Sequence, residues 1–521
     1  MQALKLTDLT IKQKIGQMLL CRRPLDHEDK EFIMELIRNK SLGGIHLTYE
    51  MKDEIPKFLE AADYPLLICE NMGSGFETGK IKLPTQMSLG AANSEELAYE
   101  CGRITAIEAK AAGYNVVFGP ILDIAMNPRS SNVGCNSFGG DKELVARMGE
   151  AMIRGYQEQG MIVTGKHFPG FGESAVDSHL GMVYLDADEQ TLLDRELYPY
   201  MKAIKDADMS GVMLGHIMVP KIDPVYPASV SPKLIGLLRK IGFDGLVMTD
   251  SFAMIGMTNL FGLEECHGLA MAAGADMVMT SYRLPAKQAY EYMVKAYESG
   301  QVTEEQIDSA VKRVLAAQAK TLIKPSMTTA TEKELEISKM LSRESITVVL
   351  SGTDAAAIST DTKHLFILLE GNTFVDPQTD EVQKETSGLE NIEQLIEESF
   401  PHSDIVKINE YPSREQMENV SYITMNYESI VMVTYGQVQS YRGSSDLTHR
   451  VISLMNALRH KLSAVVLFGN PYASREFPEV PRIIYGYQDG YCEQAVMHVL
   501  KGGITAKGKL PVNLNFPRGT K

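Results

Sequence analysis

A chain of 521 residues is longer than one hydrophobic core organises, so two domains are expected. Its 44% hydrophobic and 23% charged residues are the balance of a soluble globular protein and exclude a fibre or a disordered tail. A formal net charge of -16 leaves no basic face for phosphates, which excludes a non-specific nucleic-acid binder.

The first stretch, "MQALKLTDLTIKQKIGQMLLCRR", is amphipathic and carries lysines throughout, without the apolar core and small-residue cleavage site of a signal peptide. No apolar run approaches the ~20 residues that cross a bilayer. The six cysteines are scattered, with no CxxC and no histidine at metal-ligand spacing, so reduced, buried thiols are expected. These features predict a cytoplasmic protein with no membrane or nucleic-acid partner, no metal and no cofactor.

Short apolar runs then alternate with helical patterns up to about residue 320. The predicted strands are "GGIHLTY", "PLLICEN", "NVVFGPILDI", "MIVTGKHF", "SGVMLGHIMV", "DGLVMTD" and "ADMVMTS". Between them lie amphipathic segments such as "DKELVARMGEAMIRGYQEQG". This alternation implies parallel strands joined by crossover helices, and near-continuous apolar strands imply burial on both faces. Polar residues gather where each strand stops: Glu70 and Asn71, Asp123, Lys166 and His167, His216, Asp250, then Ser281 and Tyr282. Strand ends that converge on one mouth are the mark of a barrel, and no GxGxxG turn follows the first strand to argue for a Rossmann sheet. The predicted fold is therefore α/β: an N-terminal (β/α)8 TIM-like barrel over residues 1–325. A linker over 326–345 leads to a smaller C-terminal α/β sandwich domain over 346–521, with strands at "ITVVL", "KHLFILLEG", "DIVKIN", "SIVMVTYG" and "SAVVLFGNPYAS".

The chemistry concentrates in "KHFPGFGESAVDSH", residues 166–179. In an extended segment Asp177 and His179 point the same way, and a carboxylate beside an imidazole orients the ring and favours its cationic form. The result is a proton donor usable near neutral pH, although a charge cluster on a solvated loop reads the same way. Asp250, directly after a buried strand, suits either a carboxylate nucleophile or the N-cap of the "SFAMIGM" segment. Lys166 suits a Schiff base or a grip on substrate hydroxyls. Asp123 either positions Lys166 by charge or caps its strand.

These residues resemble the bacterial β-N-acetylglucosaminidase branch of glycoside hydrolase family 3. The family's KHFPGHGxxxxDSH stands here as "KHFPGFGESAVDSH" and its GFxGxxxxDxxxM as "GFDGLVMTDSFAM". "KIGQM", "GGIHL", "GPILDIAMNP", "NSFGGD", "LGHIMVPKIDPVYPASVS" and "AMAAGADMVM" follow in the family's order, and "FGNPYAS" and "GKLPVN" are similar to its C-terminal domain. The resemblance implies Asp250 as nucleophile, His179 as acid/base paired with Asp177, and Lys166 and His167 as sugar-holding groups. It also implies sugar contacts at Glu70, Asp123, Asn136 and His216. Four positions depart from the pattern: Glu70 replaces an aspartate, Met72 a glutamate, Asn136 an arginine, and Phe171 the second histidine of KHFPGHG. The expected activity is exo-acting, retaining hydrolysis of terminal N-acetylhexosamine from peptidoglycan-derived or chitin-type oligosaccharides. Phosphorolysis by the same residues, or a β-glycosidase of altered sugar specificity, are the alternatives. The expected partner is a small oligosaccharide, and nothing in the sequence sets an oligomeric state.

Overall fold

The computed structural model describes residues 3–130, 133–326, 329–351, 357–370, 373–375, 382–384, 389–436 and 447–514. The chain divides into two compact units. The first comprises Met1–Lys82, Glu95–Ile124 and Asp141–Leu335. The second comprises Leu83–Ser94, Ala125–Gly140 and Glu336–Lys521.

Eight short strands build the barrel of the first unit: β1 (Leu19–Cys21), β2 (Gly44–His46), β3 (Leu67–Glu70), β4 (Val116–Val117), β5 (Ile162–Val163, resuming at Gly165–Phe168), β6 (Gly211–Leu214), β7 (Leu246–Thr249) and β8 (Val278–Met279). Neighbours pair in parallel in the order β8-β1-β2-β3-β4-β5 and β5-β6-β7. A parallel bridge between Met248 and Met277, with the Met277 amide donating to Val247 O at 3.1 Å, closes the ring from β7 to β8. The strands are only two to four residues per run and buried almost throughout, because side chains point alternately into the barrel and onto the helices outside. Leu20, Leu67, Cys69, Val116, Ile162, Met213, Leu246, Met248 and Met279 form one apolar cluster within the unit. Three of the nine are methionines, whose unbranched thioethers fill irregular gaps.

Seven of these strands lie inside the predicted runs. The eighth, β1, falls in the N-terminal segment, where three apolar residues follow an amphipathic helix (Ile11–Gln17) too closely to announce a strand. The helices begin where side chains can satisfy free backbone amides. Thr10 and Gln13 form a capping box, Asp141 accepts from the Leu144 amide at the start of Lys142–Glu158, and Thr303 and Gln306 form a second capping box before Glu304–Lys320.

The second unit holds a six-stranded sheet: β9 (Thr347–Leu350), β10 (Leu365–Leu369), β11 (Asp404–Ile408), β12 (Ile430–Gly436), β13 (Leu462–Gly469) and β14 (Arg482–Tyr487), in the order β9-β14-β13-β12-β10-β11. All pairs are parallel except β9 with β14. Phe366, Leu368, Val431, Val433, Val466 and Ile484 pack on one face against Ile392, Ile396, Phe400, Val496 and Leu500. The intervening residues Ile367, Met432 and Leu467 are fully buried too, so both faces are covered. β14 is a strand the sequence patterns did not announce.

Residues 326–345, expected as a linker, carry the helix Glu332–Ser345. Two early segments belong with the second unit through their own backbone bonds. Thr85 N donates to Gln488 O at 3.1 Å, Lys509 N to Ala91 O at 3.0 Å, Gly140 N to Pro511 O at 2.9 Å, and Tyr472 Oη to Ala125 O at 2.7 Å. All six cysteines are buried and free. Among the described residues no helix is long and apolar enough to cross a membrane, and no cluster of three His, Cys, Asp or Glu could hold a metal.

Candidate active site

The carboxyl ends of the barrel strands bring most of the expected residues to one mouth. β5 delivers Lys166 and His167 side by side across a cis peptide bond, followed by the cis Phe168–Pro169 bond. Lys166 is buried, and its ammonium donates to Asn71 Oδ1 at 2.6 Å, just beyond β3. Burial pushes Lys166 below the ordinary lysine range, while the carboxylates of Asp250, Asp123 and Glu70 pull the other way.

Asp123 does something the sequence reading did not anticipate. Its carboxylate contacts His167 Nδ1 at 2.8 Å, accepts from the His167 amide at 3.2 Å, and accepts from the Phe171 amide at 3.3 Å. Its hydrogen bonds therefore hold His167 and the following turn, and it reaches Lys166 through its field alone. The Phe171 ring, where the family pattern has histidine, lies 5.0 Å from the His167 ring.

Asp250 follows β7. Its Oδ1 accepts from the Ser251 amide at 2.7 Å, and Oδ2 lies 3.9 Å from His167 Nε2. The N-cap reading fails, because the next helix starts at Ile255 with Met254 as its cap residue. Burial alone would raise the Asp250 carboxyl. His167, His216 and Lys166 and the Ser251 amide outweigh it and hold the group below the ordinary carboxylate range. Burial lowers His216 itself, against the pull of the Asp250 carboxylate and the Ser251 backbone.

His216, expected among the sugar contacts, has both ring nitrogens engaged inside the protein. Nδ1 is 2.8 Å from Ser229 Oγ and Nε2 is 2.9 Å from Ser251 O, with the ring stacked on Phe252. A carbonyl only accepts, so Nε2 carries the proton and the imidazole anchors the backbone beside Asp250.

The Asp177–His179 pair forms, by a different route from the extended segment expected. Residues 178–180 are a turn in which Leu180 N and Gly181 N both donate to Asp177 O at 2.9 Å. The Asp177 side chain closes it by accepting from the His179 amide at 2.9 Å, and the same Oδ1 lies 2.8 Å from His179 Nδ1. Asp is suited to this because its short carboxylate bonds its own backbone two residues on. The ring is thereby turned with Nε2 on the side away from Asp177.

This loop rests on the segment that follows Asp250. Gly256 and Gly181 meet backbone to backbone, so closely that a Cβ on Gly256 would lie 2.5 Å from Gly181 O. The dyad loop and the Asp250 loop are thus neighbours by direct contact.

Residues 10–317 match the glycosyl hydrolase family 3 N terminal domain. The chain belongs to that family. It is 30% identical over 333 residues to a β-N-acetylglucosaminidase/β-glucosidase of Cellulomonas fimi, covering 60% of this chain and 58% of that protein. A β-hexosaminidase of Tolumonas auensis is 32% identical over 271 residues, 49% of this chain and 79% of that one. The structure of a family 3 β-N-acetylglucosaminidase from Paenibacillus sp. str. FPU-7 superposes with a TM-score of 0.84 at 29% identity, covering 97% of this chain and 99% of that one.

Of the positions where the chain departs from the family 3 pattern, Glu70 stands at the mouth. It is buried at the end of β3, with Oε1 taking His46 Nε2 at 3.0 Å and the Asn71 amide at 2.6 Å. Asn136 lies elsewhere in the chain's organisation: it ends the turn Gly134–Asn136 in the second unit, whereas every other expected site residue belongs to the first. Two residues at the mouth escaped the sequence reading. His46 ends β2, a position equivalent to the strand ends already singled out. Arg22 follows β1, whose three residues gave no strand signal.

Proposed function

We propose that this chain is a retaining, exo-acting β-N-acetylglucosaminidase that removes terminal N-acetylhexosamine from peptidoglycan-derived or chitin-type oligosaccharides. The observation that carries this reading is the Asp177–His179 pair, held at 2.8 Å on a loop in contact with the segment after Asp250. A family 3 nucleophile and a proton donor are then supplied from adjoining loops.

In the first step an Asp250 carboxylate oxygen attacks the anomeric carbon while the bond to the leaving oxygen breaks. The lowered carboxyl keeps Asp250 ionised for this role. His179 Nε2 passes its proton to the leaving oxygen, and the Asp177 carboxylate balances the imidazolium before transfer. A glycosyl ester on Asp250 results. In the second step neutral His179 takes a proton from water, the hydroxide oxygen bonds to the anomeric carbon, and Asp250 leaves as carboxylate. Two displacements at one carbon retain its configuration. Lys166 and His167, fixed by Asn71 and Asp123, donate to sugar hydroxyls. The Schiff-base reading of Lys166 has less support, since the three carboxylates around its nitrogen favour the ammonium, which donates once to Asn71 and keeps further N–H groups for a sugar. Six buried free cysteines suit a reducing compartment, and a cytoplasmic site of action belongs to this reading.

The test is turnover of 4-nitrophenyl β-glycosides of N-acetylglucosamine, glucose and glucosamine, with and without phosphate, the product's anomeric configuration followed by NMR. The expected result is N-acetylglucosamine released first as the β-anomer, at a rate indifferent to phosphate. A sugar 1-phosphate product would make the enzyme a phosphorylase, and preference for the glucoside would move its specificity.

A further inference from the structure

Three strand ends on one side of the mouth carry polar atoms that nothing above employs. β1 ends at Cys21, so the Arg22 side chain begins at the mouth. Its guanidinium carbon sits 5.6 Å from the centre of the Tyr282 ring, and Nη1 reaches only a thioether, Met279 Sδ, at 3.6 Å. Sulfur of this kind is a weak acceptor. The Arg22 Nε–H is buried without a hydrogen-bond partner among the described residues. Two strands along, at the end of β3, Glu70 spends Oε1 on His46 and Asn71, and Oε2 is likewise buried without a partner among the described residues. Leaving a buried donor or acceptor unpaired is costly, so this corner of the mouth is matched to a ligand bringing both kinds of group.

From this arrangement we infer that Arg22 is a sugar-binding residue, donating to one hydroxyl of a vicinal pair whose other hydroxyl donates to Glu70. Adjacent ring hydroxyls each donate and accept, so one pair can serve a planar donor and a carboxylate oxygen side by side. The charge balance favours a neutral ligand over an anion. Arg22 lies within the field of both Asp250 and Glu70, which oppose the downward pull of burial on the guanidinium, and the same two carboxylates would repel a phosphate or carboxylate substituent. His46 is the positioning residue: by taking Oε1 through Nε2 it sets the direction of Oε2. The inference rests on the glycosidase reading and adds a residue from a strand that the family motifs do not include. If Arg22 merely packs on Tyr282, no substrate hydroxyl will sense its loss.

The experiment pairs enzyme and substrate deletions. Wild type, Arg22→Met, Arg22→Lys and Glu70→Gln are assayed on 4-nitrophenyl β-N-acetylglucosaminide and its 3-deoxy, 4-deoxy and 6-deoxy analogues. Wild type is expected to lose about 10- to 100-fold in kcat/KM on at least one analogue. Arg22→Met should lose a similar factor on the full sugar, mainly through KM, and be nearly indifferent to that same deletion. Arg22→Lys should recover part of the discrimination, and it decides by the same comparison if circular dichroism shows the Met variant unfolded. Unchanged discrimination across all three deletions in the Arg22 variants, with wild type active, overturns this inference alone. Wild type inert on the whole panel overturns the glycosidase reading and this inference with it.

Discussion

Gly256→Ala is the most pointed test of how the site is assembled. A Cβ at residue 256 would lie 2.5 Å from Gly181 O, 2.6 Å from Gly181 C and 2.9 Å from Met182 N. Relaxed contacts of a methyl carbon fall at about 3.5 Å, so the two backbones must part by about 1 Å, two residues beyond His179. Misplacing a catalytic group by about 1 Å costs on the order of 100-fold in rate, roughly 2.7 kcal/mol of barrier. On the proposed mechanism the loss should depend on the leaving group, because a nitrophenolate departs unaided while a sugar alkoxide needs a proton, assigned there to His179. Expected values are about a 100-fold fall in kcat on a disaccharide and tenfold or less on the nitrophenyl glycoside, the second loss arising in deglycosylation. Helix propensity favours Ala over Gly by up to about 1 kcal/mol, which offsets part of the overpacking, so Tm should move by only a few degrees. Gly181→Ala is the control: its Cβ meets nothing closer than Val176 Cγ1 at 3.3 Å, and near-normal rates are expected. A Gly256→Ala enzyme with wild-type kcat on both substrates would refute the argument, since the loop contact would then have no bearing on where the imidazole sits.

Asp250→Asn should abolish turnover on every substrate, by several orders of magnitude in kcat, and azide should restore activity on the nitrophenyl glycoside in the truncated Asp250→Ala, expelling nitrophenolate to give the inverted glycosyl azide; near-normal turnover of Asp250→Asn would remove Asp250 as nucleophile. His179→Ala should retain far more activity on nitrophenyl glycosides than on oligosaccharides and accumulate a glycosyl-enzyme visible by intact-protein mass spectrometry; equal losses on both would make His179 a binding residue. Asp123→Ala strips the His167 ring, the His167 amide and the Phe171 amide of their acceptor, so KM and kcat should both worsen and stability fall by about 2–4 kcal/mol in urea titrations. Glu493, half-buried on the helix Cys492–Leu500, is pushed up to about 7 by burial, with Asp489 adding to the shift. Its folded form holds the proton more tightly than the unfolded chain, so stability present below pH 4.5 is lost as pH rises toward and through 7. Glu493→Gln should therefore be more stable than wild type at pH 8, by about 2 kcal/mol after allowing for partial exposure, and no more stable at pH 4; a pH-independent difference would mean that residue 493 does not titrate as described.

The local signals in this chain were strong where the physics is local. Apolar runs such as "LLIC" and "LVM" have no stable place except between two buried faces, so a parallel barrel follows from their alternation with helical segments. Polar residues directly after such runs must sit at a strand end, which made Glu70, Lys166, His167 and Asp250 legible without a structure. The Asp177–His179 contact was also readable, because two residues of separation keep the pair together in a strand or in the turn they adopt. What required the tertiary structure was everything set by contacts distant along the chain. Asp123 meets His167 and not the Lys166 ammonium because β4 and β5 register in one way. His216 turns inward because Ser229 and Ser251 are both within reach of its ring. Segments 83–94 and 125–140 join the second unit through partners more than 340 residues away. The Gly181–Gly256 approach brings two loops 75 positions apart into contact, and neither glycine differs in sequence from an ordinary turn residue. Arg22 was hidden because a three-residue strand has too few side chains for a period of two to show, and only closure of the barrel between β8 and β2 makes Leu19–Cys21 a strand and the residue after it a wall of the mouth.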